Sequence, residues 1–123
     1  MKQANITMAY KTLGEMGRVA GLPFDLCKKL FMLRLKLKPH IEFQEERKQV
    51  LFEAAGINAD GTVEKTPALM KGLVEIQNAE VEWTEDPVKI ELTPGIAEKL
   101  NITAETLELL DGFVEFAEVE KND

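Results

Sequence analysis

Residues 21–56 carry the longest helical pattern in the chain, GLPFDLCKKLFMLRLKLKPHIEFQEERKQVLFEAAG. Leucines recur in it at spacings of four, three and four, which places them on one face of an α-helix. They are Leu26, Leu30, Leu33 and Leu37. Pro23 suits the first turn of this helix, because its missing N–H would have no partner there. Gly56 is expected to end the helix in the left-handed conformation, with Ile57 folding back on the last turn.

A proline inside this pattern bears on whether the helix is continuous. Pro39 removes one backbone hydrogen bond and clashes with the preceding turn, which costs about 3 kcal/mol. No turn residues surround it, so we expect one long helix that is kinked or very briefly broken near residues 35–38. The sequence also predicts a shorter helix over residues 8–20. Together the two helices would form an N-terminal helical hairpin over residues 1–56. A helix of about 33 residues would extend roughly 50 Å, so it must bend, protrude or pack against a partner.

A second apolar face on the long helix is the candidate protein-contact surface. It consists of Phe24, Phe31 and Leu35, extended by Phe43 and Phe52. A helix that is apolar over such a wide arc contacts neighbours on two sides. We therefore expect this face to bind a partner protein or a second copy of the chain.

Basic side chains fill the remaining positions in the first half of the long helix. They are Lys28, Lys29, Arg34, Lys36 and Lys38. Such a stripe can bind nucleic acid, as the second helix of a helix-turn-helix module does. More often, long charged side chains form a solvated face and cover apolar neighbours. The interleaved leucines and phenylalanines, which need burial, favour this second interpretation.

The composition limits the classes of function. The chain has 123 residues and a net charge of −7, which fits one domain over 1–123 and argues against a general attraction to nucleic acid or anionic membranes. A single cysteine excludes an intramolecular disulfide and favours a reducing compartment. No apolar run approaches the roughly 18 residues that span a bilayer, and the N-terminus lacks the apolar core of a signal peptide. We expect a soluble protein of the cytoplasm.

No set of residues points to catalysis, a cofactor or a metal ion. Cys27 and His40 lie about 20 Å apart along a helix, too far for a nucleophile and its base, so the cysteine is interpreted as a core residue. Asn58 and Asp60 share part of a calcium-loop pattern, but the closing acid lies at the wrong spacing. A plain turn is expected there. We predict that the protein is not an enzyme.

Threonine-proline pairs mark helix starts in the second half of the chain. In Thr66-Pro67 and Thr93-Pro94 the threonine caps the helix and the proline occupies its first position. Thr103 is expected to cap a last helix, so that one or two helices form the C-terminal part.

A period of two in the sequence predicts a small sheet. Residues 80–84 and 88–92 alternate polar and apolar side chains, which indicates half-buried strands that form a β-hairpin or two small separate strands. Trp83 is expected to cover the helical core. Residues 113–119 can continue the last helix or form a strand, since they are rich in phenylalanine and valine. The predicted fold class is α+β, mainly α, with residues 57–123 packed on the helical hairpin.

Several short motifs follow one another in a fixed order along most of the chain. They are Tyr10 and Leu13, Leu22-Pro23, Glu45-Glu46-Arg47, Gly56, Asp60-Gly61, the VEW and VKIEL segments, and Ile102, Thr103, Leu107 and Leu110. In this order of elements the chain resembles small uncharacterised proteins of tailed bacteriophages. The resemblance implies a phage or prophage source, and hence a bacterial host cytoplasm, but no particular activity. Pro39 departs from the pattern.

These observations predict a non-enzymatic protein that works by protein–protein contacts. It would be a phage-type accessory, assembly or host-inhibitor protein. The alternative is a nucleic-acid-binding protein that uses the basic stripe of the long helix.

Overall fold

A computed structural model describes residues 1–119 of the chain. The elements are α1 (Gln3–Gly17), α2 (Phe24–Ala55), α3 (Pro67–Asn78), β1 (Val88–Leu92), α4 (Pro94–Leu100), α5 (Ala104–Leu109) and β2 (Val114–Glu118). Helices dominate, and the strands form one two-stranded sheet. The predicted fold class, α+β and mainly α, is confirmed.

The first two helices form the expected N-terminal hairpin. α1 begins at Gln3 rather than near residue 8, because Ile6 extends its apolar face toward the N-terminus and is fully buried. The turn between the helices includes Gly21, whose φ of 82° strains any residue with a side chain. The predicted leucine face is confirmed, because Leu26, Leu30, Leu33 and Leu37 are all buried.

α2 runs through Pro39 as one continuous helix of 32 residues. The expectation of a short break was therefore wrong, whereas the kink stays a prediction. Pro39 is exposed, and so is Leu35, whose carbonyl has lost its helical donor. Water can therefore hydrogen-bond to this carbonyl, which lowers the cost of the proline. At the C-terminus Gly56 has a positive φ of 99°, but its ψ of 125° lies outside the left-handed helical region that was expected. Ile57 is exposed and bridges to Val63 instead of folding back.

The predicted β-hairpin is wrong. β1 pairs with β2 in parallel, from Val88 opposite Val114 to Leu92 opposite Glu118, and α4 and α5 form the crossover between them. Residues 80–84 contribute one antiparallel bridge, from Glu80 to Lys2 just before α1, instead of a strand. Alternation identified half-buried extended segments correctly, but it carries no information about which segment supplies the hydrogen-bonding partner.

All three threonine caps are confirmed. The side chains of Thr66, Thr93 and Thr103 accept hydrogen bonds from backbone N–H groups of the first turns of α3, α4 and α5. α5 ends at Leu109, and Gly112, with a φ of 83°, turns the chain into β2. Residues 114–118 are therefore a strand, the second of the two alternatives for this segment.

One hydrophobic core joins the hairpin to the C-terminal elements. It consists of Ile6, Ala9, Leu13, Met16, Leu26, Leu30, Leu33, Leu37, Ile90, Ile96, Leu100, Leu110, Phe113 and Val114. From α2 it takes residues of the N-terminal half alone. The C-terminal half is covered by α3, whose one fully buried side chain is Leu69. α2 therefore extends beyond the core, as its length predicted.

Candidate protein-contact surface

The side of α2 opposite the buried leucines faces away from the core. At about 100° per residue, a single line of exposed side chains runs along this side. It consists of Phe24, Lys28, Phe31, Leu35, Lys38, Glu42, Glu46, Gln49 and Glu53. We call this line the outer ridge.

The N-terminal part of the outer ridge is apolar. Phe24 is 78% exposed, Phe31 58% and Leu35 42%, and Met32 beside them is 49% exposed. Complete burial of such a side chain stabilises a protein by about 1.5–3 kcal/mol, and the fold of the single chain gains only part of this here. Three of the five predicted contact residues thus lie together on one open face.

The other two predicted contact residues lie elsewhere. Phe43 is 63% exposed, but it projects about 100° away from Phe24 around the helix axis. It lines a groove between α2 and α3 with Arg47 and Leu51. Phe52 is half-buried, on the opposite flank. Phe43 and Phe52 therefore do not lie on the outer ridge. They are nine residues apart, which turns them about 180° from each other around the helix axis, so they lie on opposite sides of the ridge.

One flank of the outer ridge meets α1. Phe31 and Cys27 line a groove of about 330 Å³ there, which also includes Gly14. The Arg34 guanidinium lies 4.0 Å from the centre of the Tyr10 ring, and its Nε donates to the Tyr10 carbonyl oxygen at 3.2 Å. A side chain on Gly14 would meet this guanidinium at 3.0 Å. The Arg34 side chain therefore occupies the space that the missing side chain of Gly14 leaves open.

The other flank meets β1 across a groove of about 380 Å³. Lys28, Lys29 and Lys36 line it together with Met32 and Val88. The Lys29 ammonium donates to the Lys89 carbonyl oxygen at 3.0 Å, and the Lys36 ammonium pairs with Glu85 at 3.2 Å. Two of these three lysines therefore serve contacts within the chain.

The five predicted nucleic-acid contacts do not form one stripe. Lys28, Lys29 and Lys36 share the β1 groove, whereas Arg34 lies on the α1 flank. Lys38 lies on the outer ridge with its ammonium 4.0 Å from the Glu42 carboxylate. Helical geometry separates them. Arg34 follows Lys29 by five residues and Lys28 by six, and such spacings turn side chains to different sides of a helix.

Charge divides the two halves of α2. Residues 24–40 include five basic side chains and one acidic one, whereas residues 41–55 include four acidic and two basic ones. On the outer ridge itself, Lys28 and Lys38 lie in the first half, and Glu42, Glu46 and Glu53 in the second. The ridge thus has a positive, apolar end and a negative end.

Cys27 and His40 do not form a reactive pair. Cys27 is half-buried in the α1 groove, whereas the His40 ring makes an edge contact with Trp83 at 6.2 Å. Among residues 1–119, no three His, Cys, Asp or Glu side chains are placed to hold a metal ion. Over the same residues, no helix has the length and hydropathy to cross a membrane.

Trp83 packs on the core, as predicted, with its ring 5.5 Å from that of Phe113. Its indole N–H is buried and meets no acceptor in the part of the chain that the structure describes. It lines a cleft of about 590 Å³, which also includes Met1 and Asp111. An unsatisfied buried donor costs about 1–3 kcal/mol. The sequence holds no signal for this feature, since the alternating pattern indicates only that Trp83 is half-buried.

The Asn58–Asp60 segment forms the plain turn that was expected. The Asp60 carboxylate accepts hydrogen bonds from the Thr62 hydroxyl at 2.6 Å and from the Thr62 backbone N–H at 3.0 Å. These two bonds lower the pKa of Asp60 from its ordinary value. The carboxylate therefore stabilises the turn itself.

Comparisons with protein-family models, curated proteins and solved structures find no match for this chain. A function must therefore be inferred from the outer ridge and its surroundings.

Proposed function

We propose that this chain is a non-enzymatic accessory or assembly protein of phage type, or an inhibitor of a host system, that acts by binding proteins through the outer ridge. The observation that supports this proposal is the exposure of Phe24, Phe31 and Leu35 on the face of α2 opposite the buried leucines. Exposed apolar side chains that form one patch are typical of protein-contact sites. The phage source rests on the order of sequence motifs alone.

The accessible surface of the chain supports a binding role. It amounts to 8418 Å², whereas a compact monomer of 13.8 kDa exposes about 6,600 Å². The excess is roughly a quarter of the expected area. A standard protein interface takes about 800 Å² from each partner, so the protruding α2 offers room for one.

Site-specific photo-cross-linking tests this proposal. A photoreactive phenylalanine analogue at Phe31 should capture a partner in cells that carry the gene, whereas the same analogue at the exposed Glu105 of α5 should not. The captured protein is then identified and purified. It should bind the unchanged chain, and Phe31→Ser should weaken this binding by at least about tenfold, with Glu105→Ser as the matched control. Equal binding by both variants would contradict the proposal.

Nucleic-acid binding is the second candidate, and the β1 groove with Lys28, Lys29 and Lys36 is the observation that favours it. Binding to duplex DNA should then fall steeply with salt, and Lys28→Ala should reduce the slope by about one. A fluorescence-anisotropy titration at low salt measures this. Failure to bind under those conditions would exclude this function.

A further inference from the structure

We propose that the occupant of the outer ridge is the outer ridge of a second copy of this chain, packed antiparallel about a twofold axis at Leu35. This inference rests on the proposed function and names the partner of the same surface. It follows from the division of charge along α2 and from the positions of the exposed apolar residues.

Charge selects the antiparallel orientation. The first half of α2 is basic and the second half acidic, so an antiparallel pair brings opposite charges together at both ends. A parallel pair would place basic against basic and acidic against acidic, which costs free energy. The dipoles of the two helices also oppose each other in the antiparallel arrangement.

Twofold symmetry then specifies which residues meet. In an isologous interface, if residue i of one chain contacts residue j of the other, then residue j of the first chain also contacts residue i of the second. With the axis at Leu35, this residue faces its own copy. Residues equally distant from it in sequence face each other, so that Lys28 faces Glu42, Phe31 faces Pro39 and Phe24 faces Glu46.

This register buries an apolar centre and pairs Lys28 with Glu42 on either side of it. The two Leu35 side chains and the two Phe31–Pro39 contacts form this centre, which the Lys38 side chains border, and the Lys28–Glu42 pairs lie outside it. Such exposed ion pairs contribute more to orientation than to affinity. From Phe24 to Glu46 the contact would extend about 33 Å.

A neighbouring register is disfavoured by the position of Phe43 around the helix. Shifting the axis toward residue 33 would bring Phe24 level with Phe43 and would increase the aromatic contact if both side chains lay on the outer ridge. Phe43 lies about 100° away from the outer ridge around the helix axis, so this shift does not gain the aromatic contact.

The mass in solution tests the inference. Light scattering and sedimentation equilibrium on the full chain should give twice the 13.8 kDa of one chain. Leu35→Glu places two carboxylates on the axis and should raise the dissociation constant at least about 100-fold. Leu107→Glu is the matched control, because Leu107 on α5 is similarly exposed, at 48%; it should leave the mass unchanged. Circular dichroism checks that both variants keep their helices.

A charge exchange tests the register. Lys28→Glu alone and Glu42→Lys alone should each weaken the dimer about tenfold or more, because like charges then face each other at two places. The double variant, with both changes in every chain, should restore it to within about threefold of the unchanged chain. A double variant no tighter than the single ones would overturn the register.

The outcomes separate the inference from the proposed function. A chain that stays monomeric, or a dimer that Leu35→Glu leaves intact, overturns the inference. If the chain is monomeric but an identified partner loses binding on Phe31→Ser, the proposed function stands and only the second copy is excluded. If neither self-association nor a partner is found at the outer ridge, both are overturned.

Discussion

Arg34 makes a contact within the chain, although its charge suggested a contact with nucleic acid. It belongs to the basic positions of α2, yet its guanidinium lies over Tyr10 and donates to the Tyr10 carbonyl. The space that it uses exists because Gly14 has no side chain. Arginine can form such a contact because its flat, weakly hydrated group stacks on aromatic rings. The contact ties α1 to α2 and removes one cation from the predicted stripe.

Two glycine replacements in α1 measure this contact. Gly17→Ala should stabilise the fold by about 0.5–1 kcal/mol through helix propensity, because nothing lies within 4 Å of the added methyl group. Gly14→Ala should stabilise it less, since the Arg34 guanidinium must move away. Urea unfolding compares the two. A larger gain at Gly14 would show that the arginine contact has little effect on stability.

Asp60 leads to a prediction about pH. The Thr62 bonds favour the ionised carboxylate, so the pKa lies below the ordinary value of 3.8. A lowered pKa means that this contribution to stability is complete above the ordinary value and is lost as the pH falls through the folded pKa. In an NMR titration, Thr62→Val should move the Asp60 pKa back toward 3.8. No movement would show that the hydroxyl bond is not the main cause.

At the scale of the element, α2 has two apolar faces, one buried in the core and one exposed. Its buried leucines anchor the core, while the outer ridge carries apolar side chains that the single chain leaves exposed. A helix with one solvated face would carry polar residues there. The exposed apolar side chains of the outer ridge therefore contribute less to the folding of the single chain than the buried leucines do, and the two faces should respond differently to mutation.

Leu37→Ala and Leu35→Ala form a matched pair on these two faces. Leu37 is fully buried, so its truncation should cost about 2–5 kcal/mol. Leu35→Ala should cost less than about 1 kcal/mol at concentrations where the chain is monomeric, because this side chain is 42% exposed. Chemical denaturation followed by circular dichroism measures both. Similar costs would contradict the assignment of the two faces.

Pro39 provides a second test at this scale. α2 continues through it, so the helix bears the cost of one missing hydrogen bond. Pro39→Ala should restore the bond to the Leu35 carbonyl and raise the free energy of unfolding by up to about 3 kcal/mol. Denaturation of a monomeric sample measures the change. A destabilised variant would mean that a proline-induced kink is needed to pack both halves of α2.

At the scale of the whole molecule, stability is unevenly distributed. The core gathers α1, the first half of α2, the sheet and α4, whereas α3 covers the second half of α2 with one fully buried side chain. The sheet closes the core by pairing segments that α4 and α5 separate, and parallel pairing of this kind requires a crossover. The end of the molecule near α3 should therefore open first.

Hydrogen exchange tests this distribution. Amides of α3 and of the C-terminal half of α2 should exchange faster than those of α1 and β1, because local opening is favoured where little apolar surface is buried. Mass-spectrometric exchange on the full chain resolves these segments. Equal protection throughout would show that the chain opens as one cooperative unit.

Features that depend on near neighbours in the chain could be predicted from the sequence. The leucine face of α2, the three threonine caps and the turn at Asp60 each involve residues within about one helical turn or loop, so residue types and spacing were sufficient. The sequence also placed three of the five predicted contact residues on one face of α2, because Phe24, Phe31 and Leu35 repeat at helical spacing.

Tertiary structure alone decided the features that join distant segments. β1 pairs with β2 rather than with residues 80–84, Arg34 contacts Tyr10, and Trp83 packs between His40 and Phe113. A pattern of alternation or charge states that a side chain needs burial or a partner, but not which partner reaches it. That choice depends on how all the elements pack together, because the partners are far apart in the chain and become neighbours only in the folded molecule.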